Sequence, residues 1–212
     1  MKNPPNIKLE WGEAVEQPED LPEYLKLDRR IYRFTYPDGI SKEMSVDVIQ
    51  RKNNDAVVIV AYDNNGIYFR SCIRPAIYRI FPELGNMWEL AAGLIENDET
   101  PIETAIRETK EELGFEVTEA DCFALGQPTF PSPGIICERI FLFAINISGK
   151  KQNLIINDGT PMEHYGEATK VSFRETFSLI NNGKFDMKTE LGCRRLLSFL
   201  EGLDFFDNMV TM

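Results

Sequence analysis

The alternation of apolar and polar residues changes period several times along the chain, and each change marks an element. "RIYRFTY" and "SKEMSVDVIQR" flank "PDGI", whose Asp-Gly pair predicts a tight turn between two strands. "DAVVIVAYD" is a continuous apolar run of strand length that ends at the turn "DNNG", and "IYFRSCIRPAI" follows as another strand. Residues 29–77 are therefore expected to be β-rich. The period then lengthens. Ile102, Ala105, Ile106, Thr109 and Leu113 fall on one helical face. Thr100 with Glu103 makes a capping box, Pro101 takes the first helical position and Gly114 suits the C-terminal cap, so a helix is expected over 100–113. "RIFLFAINI" reads as a strand, residues 150–168 as a long polar loop, and "FRETFSLINNG" and "KTELGCRRLLSFLEGL" as two closing helices. This order predicts an α/β protein with a mixed sheet between helices.

Composition narrows the function classes. The chain has 212 residues, enough for one sizeable core with a small appended module. A formal net charge of −11 argues against nucleic-acid binding, which needs clustered Lys and Arg. The apolar runs are too short to span a bilayer, and the N-terminus "MKNPPNIKLEWGEAVEQPED" lacks the apolar core of a signal peptide. Cys72, Cys122, Cys137 and Cys193 are scattered without CxxC spacing, which suits reduced thiols and a cytoplasmic location. A Ser-His-Asp triad would have to use His164, the only histidine, in the polar context "PMEHYGE"; it reads as a bystander.

The stretch "GLIENDETPIETAIRETKEELGF" carries the chemistry. Glu108 and Glu112 stand one turn apart on one face, with Glu111 on the same edge. Like charges at this spacing cost roughly 0.2–0.5 kcal/mol per pair, so a compensating cation is expected. Three carboxylates beside the glycine-bearing loop "LAAGL" offer the oxygen-rich site that Mg²⁺ prefers. Such a cation neutralises and orients a diphosphate and lowers the pKa of an attacking water.

The stretch fits G-x5-E-x7-R-E-x-x-E-E-x-G through Gly93, Glu99, Arg107, Glu108, Glu111, Glu112 and Gly114. Chance would produce such a match about once in a million chains of ordinary composition. The pattern resembles the Nudix box of the Nudix hydrolases, which cleave nucleoside diphosphates linked to another moiety. The resemblance implies a loop-helix-loop in an α/β/α sandwich, with Glu108, Glu111, Glu112 and the carbonyl of Ala92 as ligands of Mg²⁺, Mn²⁺ being an alternative. It also implies that Arg107 and Glu99 pair to hold helix and loop together. Thr109 departs from the usual aliphatic residue, and little effect on the chemistry is expected.

The flanks are similar to one subfamily. "WELAAGLI", "SCIRPAI" and "FPSPGIICERIFLF" resemble elements of the ADP-ribose and nucleoside-diphosphate-sugar pyrophosphatases, with Ala91 in place of the usual proline. This implies substrate-binding roles for Arg74, Glu138, Pro133 and Gly134. It also implies a general base in the loop before the late helices, where Glu163 and Glu167 are both candidates. Tyr32 and Phe34 either stack on a nucleobase or form an ordinary half-buried strand face. Relatives exchange N-terminal regions across a two-fold axis, so a homodimer is expected, with residues 1–52 as the arm and β-rich region and 53–212 as the hydrolase domain. The expected reaction is Mg²⁺-dependent hydrolysis of ADP-ribose or a related nucleoside diphosphate sugar. Two alternatives remain: a dinucleotide polyphosphate or nucleoside triphosphate as substrate, and a Nudix-fold module that binds a nucleotide sugar without turnover.

Overall fold

The computed structural model describes residues 25–51, 53–155, 162, 166–183 and 185–210, with backbone alone at 25–26 and 203–210. Nine strands run in chain order: β1 (Leu25–Thr35), β2 (Ser41–Arg51), β3 (Asp55–Asp63), β4 (Gly66–Ile73), β5 (Asn86–Glu89), β6 (Ala91–Leu94), β7 (Cys122–Ala124), β8 (Arg139–Asn146) and β9 (Ala168–Ser172). The α-helices are α1 (Pro75–Tyr78), α2 (Pro101–Leu113), α3 (Phe173–Asn181) and α4 (Met187–Val210).

Strands β1 and β2 form a separate antiparallel hairpin, in register from Leu25↔Arg51 to Thr35↔Ser41. The other seven form a mixed sheet. Its central path is β5-β4-β3-β8-β7, with β6 paired to β3 and β9 to β4. β3 and β8 run parallel, and the remaining pairs are antiparallel.

The unbroken apolar run of β3 follows from its position at the centre, covered on both faces. Val57, Ile59 and Ala61 join Ala105, Leu113, Phe115 and Phe143 under α2. Val58, Val60 and Tyr62 join Trp88, Leu142, Ile180 and Leu196 under α3 and α4. Two cores on opposite faces of one sheet make the α/β/α sandwich that the sequence predicts.

Helix α2 forms where its pattern places it. Thr100 Oγ1 accepts from the Glu103 amide, and Glu103 returns a carboxylate to the Thr100 amide at 2.8 Å. Gly114 ends the helix at φ 75°, where a Cβ would come within 2.4 Å of the Asn153 carbonyl oxygen. Thr109 is fully buried, and its hydroxyl donates to the Ala105 carbonyl at 2.7 Å, so the polar atom introduced into the core face has an acceptor.

Candidate functional site

Strand β6 runs out along the edge of β3 and turns through residues 95–100 into α2, so the box loop and box helix meet above the sheet. Arg107 is the hub of this junction. Its Nε and Nη2 donate to the two Glu99 carboxylate oxygens at 2.8 and 3.1 Å, and Nη2 also reaches the Leu94 carbonyl at 3.3 Å. Nη1 donates to Glu108 at 2.7 Å and Glu111 at 3.1 Å. The Arg107 hydrogen bond is the main reason the Glu99 carboxyl falls to about 2, with Thr104 Oγ1 adding a further donor at 2.8 Å. Glu99 in turn is the largest cause of the upward shift of Arg107.

The three helix glutamates are neighbours, yet they do not meet at one point. Glu108 and Glu111 share Arg107, whereas Glu112 turns to the loop and accepts from the Ala92 amide at 3.1 Å. Among the described residues, no three Asp, Glu, His or Cys side chains are grouped to hold a metal ion. Arg107 supplies part of the positive charge beside Glu108 and Glu111. The donor set still fits a hard divalent cation in kind, being all carboxylate and carbonyl oxygen. An extended residue sends its N–H and C=O out on the same edge, which directs the Ala92 carbonyl toward the side where its amide meets Glu112. Gly93 leaves room for the Glu108 carboxylate. A Cβ at this position would lie 1.8 Å from Glu108 Oε1.

Beside the box lies a cavity of about 570 Å³. Glu112, Ala92 and Gly93 line it together with Arg70, Cys72, Arg74 and Glu89. Arg70, Cys72 and Arg74 come from one face of β4 and its extension, as the two-residue strand period requires. Arg74 Nε and Nη2 form a bidentate pair with Glu89 at 2.8 and 2.5 Å, and this pair raises the Arg74 pKa. Burial, then the Glu89 charge, pushes the Cys72 thiol up, so it stays protonated. Glu138 also lines the cavity and pairs with Arg51 at the end of the hairpin.

Other expected site residues lie elsewhere. Pro133 and Gly134 sit exposed in the loop before β8 and are not among the described residues lining the cavity. This loop instead docks on the hairpin, with the Ile49 amide donating to the Ile135 carbonyl at 2.7 Å. Tyr32 and Phe34 are partly exposed on the hairpin, away from the cavity wall. Glu167 is exposed; its amide donates to Ser71 Oγ at 2.8 Å, and its carbonyl accepts from the Ser71 amide at 2.9 Å. Glu163 and His164 lie outside the described residues, although Met162 reaches the cavity.

Arg51, Arg70, Cys72, Glu89 and Lys188 line the cavity without having been singled out from the sequence. For two of them a signal was present. Arg70 is the one charge in its strand, and Glu89 stands between Trp88 and Leu90, both buried.

Residues 52–173 match the family described as NUDIX domain. The chain is 29% identical to a GDP-mannose pyrophosphatase of Shigella flexneri over 182 residues, covering 84% of this chain and 88% of the relative. A GDP-mannose pyrophosphatase of Yersinia enterocolitica is 25% identical over 167 residues, covering 78% and 84%. A solved structure titled "Crystal structure of ADP compounds hydrolase" superposes with a TM-score of 0.66 over 90% of this chain and 92% of that one, at 15% identity. That likeness shows the shared fold alone. With the family pattern spanning more than half of its length and its box residues assembled at the β6–α2 junction, the chain belongs to the NUDIX domain family.

Proposed function

We propose that this protein is a pyrophosphatase of nucleoside diphosphate sugars that requires a divalent cation, Mg²⁺ or Mn²⁺. The observation that carries the reading is one cavity lined by both Glu112 with the Ala92–Gly93 loop and the Arg74–Glu89 pair. Names of relatives support the substrate class, since GDP-mannose is a nucleoside diphosphate sugar.

Glu108, Glu111, Glu112 and the Ala92 carbonyl would hold the cation, which supplies charge neutralisation at the diphosphate and Lewis-acid polarisation. Arg74, which lines the same cavity, meets the diphosphate. Its fork geometry suits paired phosphate oxygens, and Glu89 holds that fork in place. Arg107 fixes Glu108 and Glu111 against the loop, so the carboxylates are placed before substrate arrives. Hydrolysis adds one water across a P–O–P linkage and releases a nucleoside monophosphate and a sugar phosphate. The proton of that water passes to a glutamate of the loop before β9, Glu163 or Glu167.

The hairpin supports a two-copy assembly with residues 1–52 as the dimerising arm. Leu27, Ile31 and Met44 each leave more than half of their surface exposed on it, an apolar display that monomers rarely leave uncovered.

The test is product release from GDP-mannose, ADP-ribose and a nucleoside triphosphate, with Mg²⁺ and with EDTA. Monophosphate and sugar phosphate are expected from the sugars, in Mg²⁺ alone. Glu112→Gln is expected to lower turnover on the order of 10²–10³-fold, as for loss of one preorganised electrostatic group. Full activity of that variant, or EDTA-insensitive turnover, would sink the assignment.

A further inference from the structure

The cavity wall contains a charged group that the proposed chemistry leaves unused. Arg70 lies in the middle of β4 with 4% of its surface exposed, opposite Glu89 on β5 and Ala168 on β9. A guanidinium so deep in a sheet is costly unless it meets acceptors of fixed position. One such acceptor lies at the end of α2. Arg70 Nη1 donates to the backbone carbonyl of Glu112 at 2.7 Å.

That carbonyl belongs to the last turn of α2, where intrahelical donors run out. Its neighbours are satisfied by uncharged groups. The Lys110 carbonyl accepts from the Gly114 amide at 3.0 Å and the Leu113 carbonyl from Gln152 Nε2 at 3.0 Å. Glu112 receives a cation instead, placed where the helix dipole is negative. Glu112 is thereby held twice: its backbone by Arg70 from β4, and its carboxylate by the Ala92 amide from β6. All three residues line the same cavity.

We propose that Arg70 is a positioning residue for Glu112, anchoring the end of the box helix to the sheet so that this carboxylate is set for a divalent cation. The proposal rests on the metal-dependent reading above. Arg70 acts through the backbone of Glu112 and not on the nucleotide sugar. Its removal therefore alters metal affinity and turnover, and leaves the Michaelis constant for the sugar nucleotide in place.

The experiment compares the parent chain with Arg70→Met and Arg70→Lys. Bound Mn²⁺ is read from the loss of the free-ion signal in electron paramagnetic resonance, the fold from thermal melting, and kcat and KM with GDP-mannose at saturating Mg²⁺. Arg70→Met is expected to weaken Mn²⁺ binding about 10–100-fold, the usual effect of losing a group that orients a ligand. Its kcat falls, its KM holds, and Arg70→Lys restores part of both losses. A folded Arg70→Met with parental Mn²⁺ affinity, or a defect confined to KM, overturns the proposal; the second result would make Arg70 a substrate contact. Should Arg70→Met fail to fold, Arg70→Lys decides, since it keeps the charge but changes the donor geometry: a weakened Mn²⁺ affinity supports the role and a parental one overturns it. A parent chain that binds no Mn²⁺ overturns the metal reading itself, and this inference with it.

Discussion

Arginine–carboxylate pairs occur in two regions of this molecule, at similar distances and with different consequences. On the hairpin, Arg29–Asp47 and Arg33–Glu43 close to 2.5 and 2.7 Å, with the arginine side chains 69% and 70% exposed. At the site, Arg74–Glu89 and Arg107–Glu99 close to 2.5 and 2.8 Å, with the carboxylates 6% and 22% exposed. Exposed pairs gain little, because water screens the attraction and two long side chains lose freedom. A buried partner behaves otherwise. Removing one member leaves the other's charge with part of its hydration already lost. Burial, not distance, separates pairs that decorate the surface from pairs that hold a site.

The largest effect is expected at the Arg74–Glu89 pair. Glu89→Gln is expected to raise KM for a nucleoside diphosphate sugar at least tenfold, because Arg74 loses the partner that aims it. Stability should drop by roughly 2–3 kcal/mol in urea, less than for a fully buried pair since Arg74 keeps some solvent. Parental values for both would place this pair with the hairpin set. Next in size is Gly93→Ala, in which the added methyl displaces the Glu108 carboxylate. Mn²⁺ affinity should weaken about tenfold, with a lowered melting temperature as Glu108 is moved off Arg107.

Glu99→Gln sharpens the comparison through pH. The Glu99 carboxyl titrates at about 2 in the folded chain against an ordinary 4.5. A depressed pKa stabilises above the unfolded value and loses that contribution as pH falls through the folded one. The parent should therefore exceed Glu99→Gln in stability by roughly 1–2 kcal/mol at pH 7, the scale of a charged hydrogen bond. That gap should begin to close below pH 4.5 and vanish near 2. A gap that ignores pH would deny the carboxylate its role. The smallest effect is expected from Asp47→Asn on the hairpin. Its melting curve at physiological salt should overlay that of the parent.

Much of the fold was legible because local pattern and final environment agree. The capping box, the apolar face of α2 and the left-handed Gly114 are all written within one short stretch, and the run "DAVVIVAYD" is apolar on both faces because both faces are covered. The short strands β5, β6, β7 and β9 escaped notice, since three to five residues carry no readable period. The site was legible to the extent that it is local. Glu108, Glu111 and Glu112 announce themselves by spacing, and the Arg107–Glu99 pair spans only eight residues. Arg70 and Glu89 have no such spacing; they meet the box through the sheet, and register is a tertiary property. Their one trace is a lone charge within a strand. Arg107, which lies within reach of two of the three carboxylates, is equally local to them in the chain.

The parallel pairing of β3 with β8 has a kinetic consequence. Asp55 and Arg139, which start that pairing, are 84 residues apart in the chain, and Arg51 and Glu138 are 87 apart. Helix α2 and its cap need only near neighbours, so they can form in the earliest phase of refolding. Closure between strands so far apart is slow by comparison. Refolding from denaturant should therefore restore helical circular dichroism before it restores turnover, with the box helix waiting for the walls of its cavity.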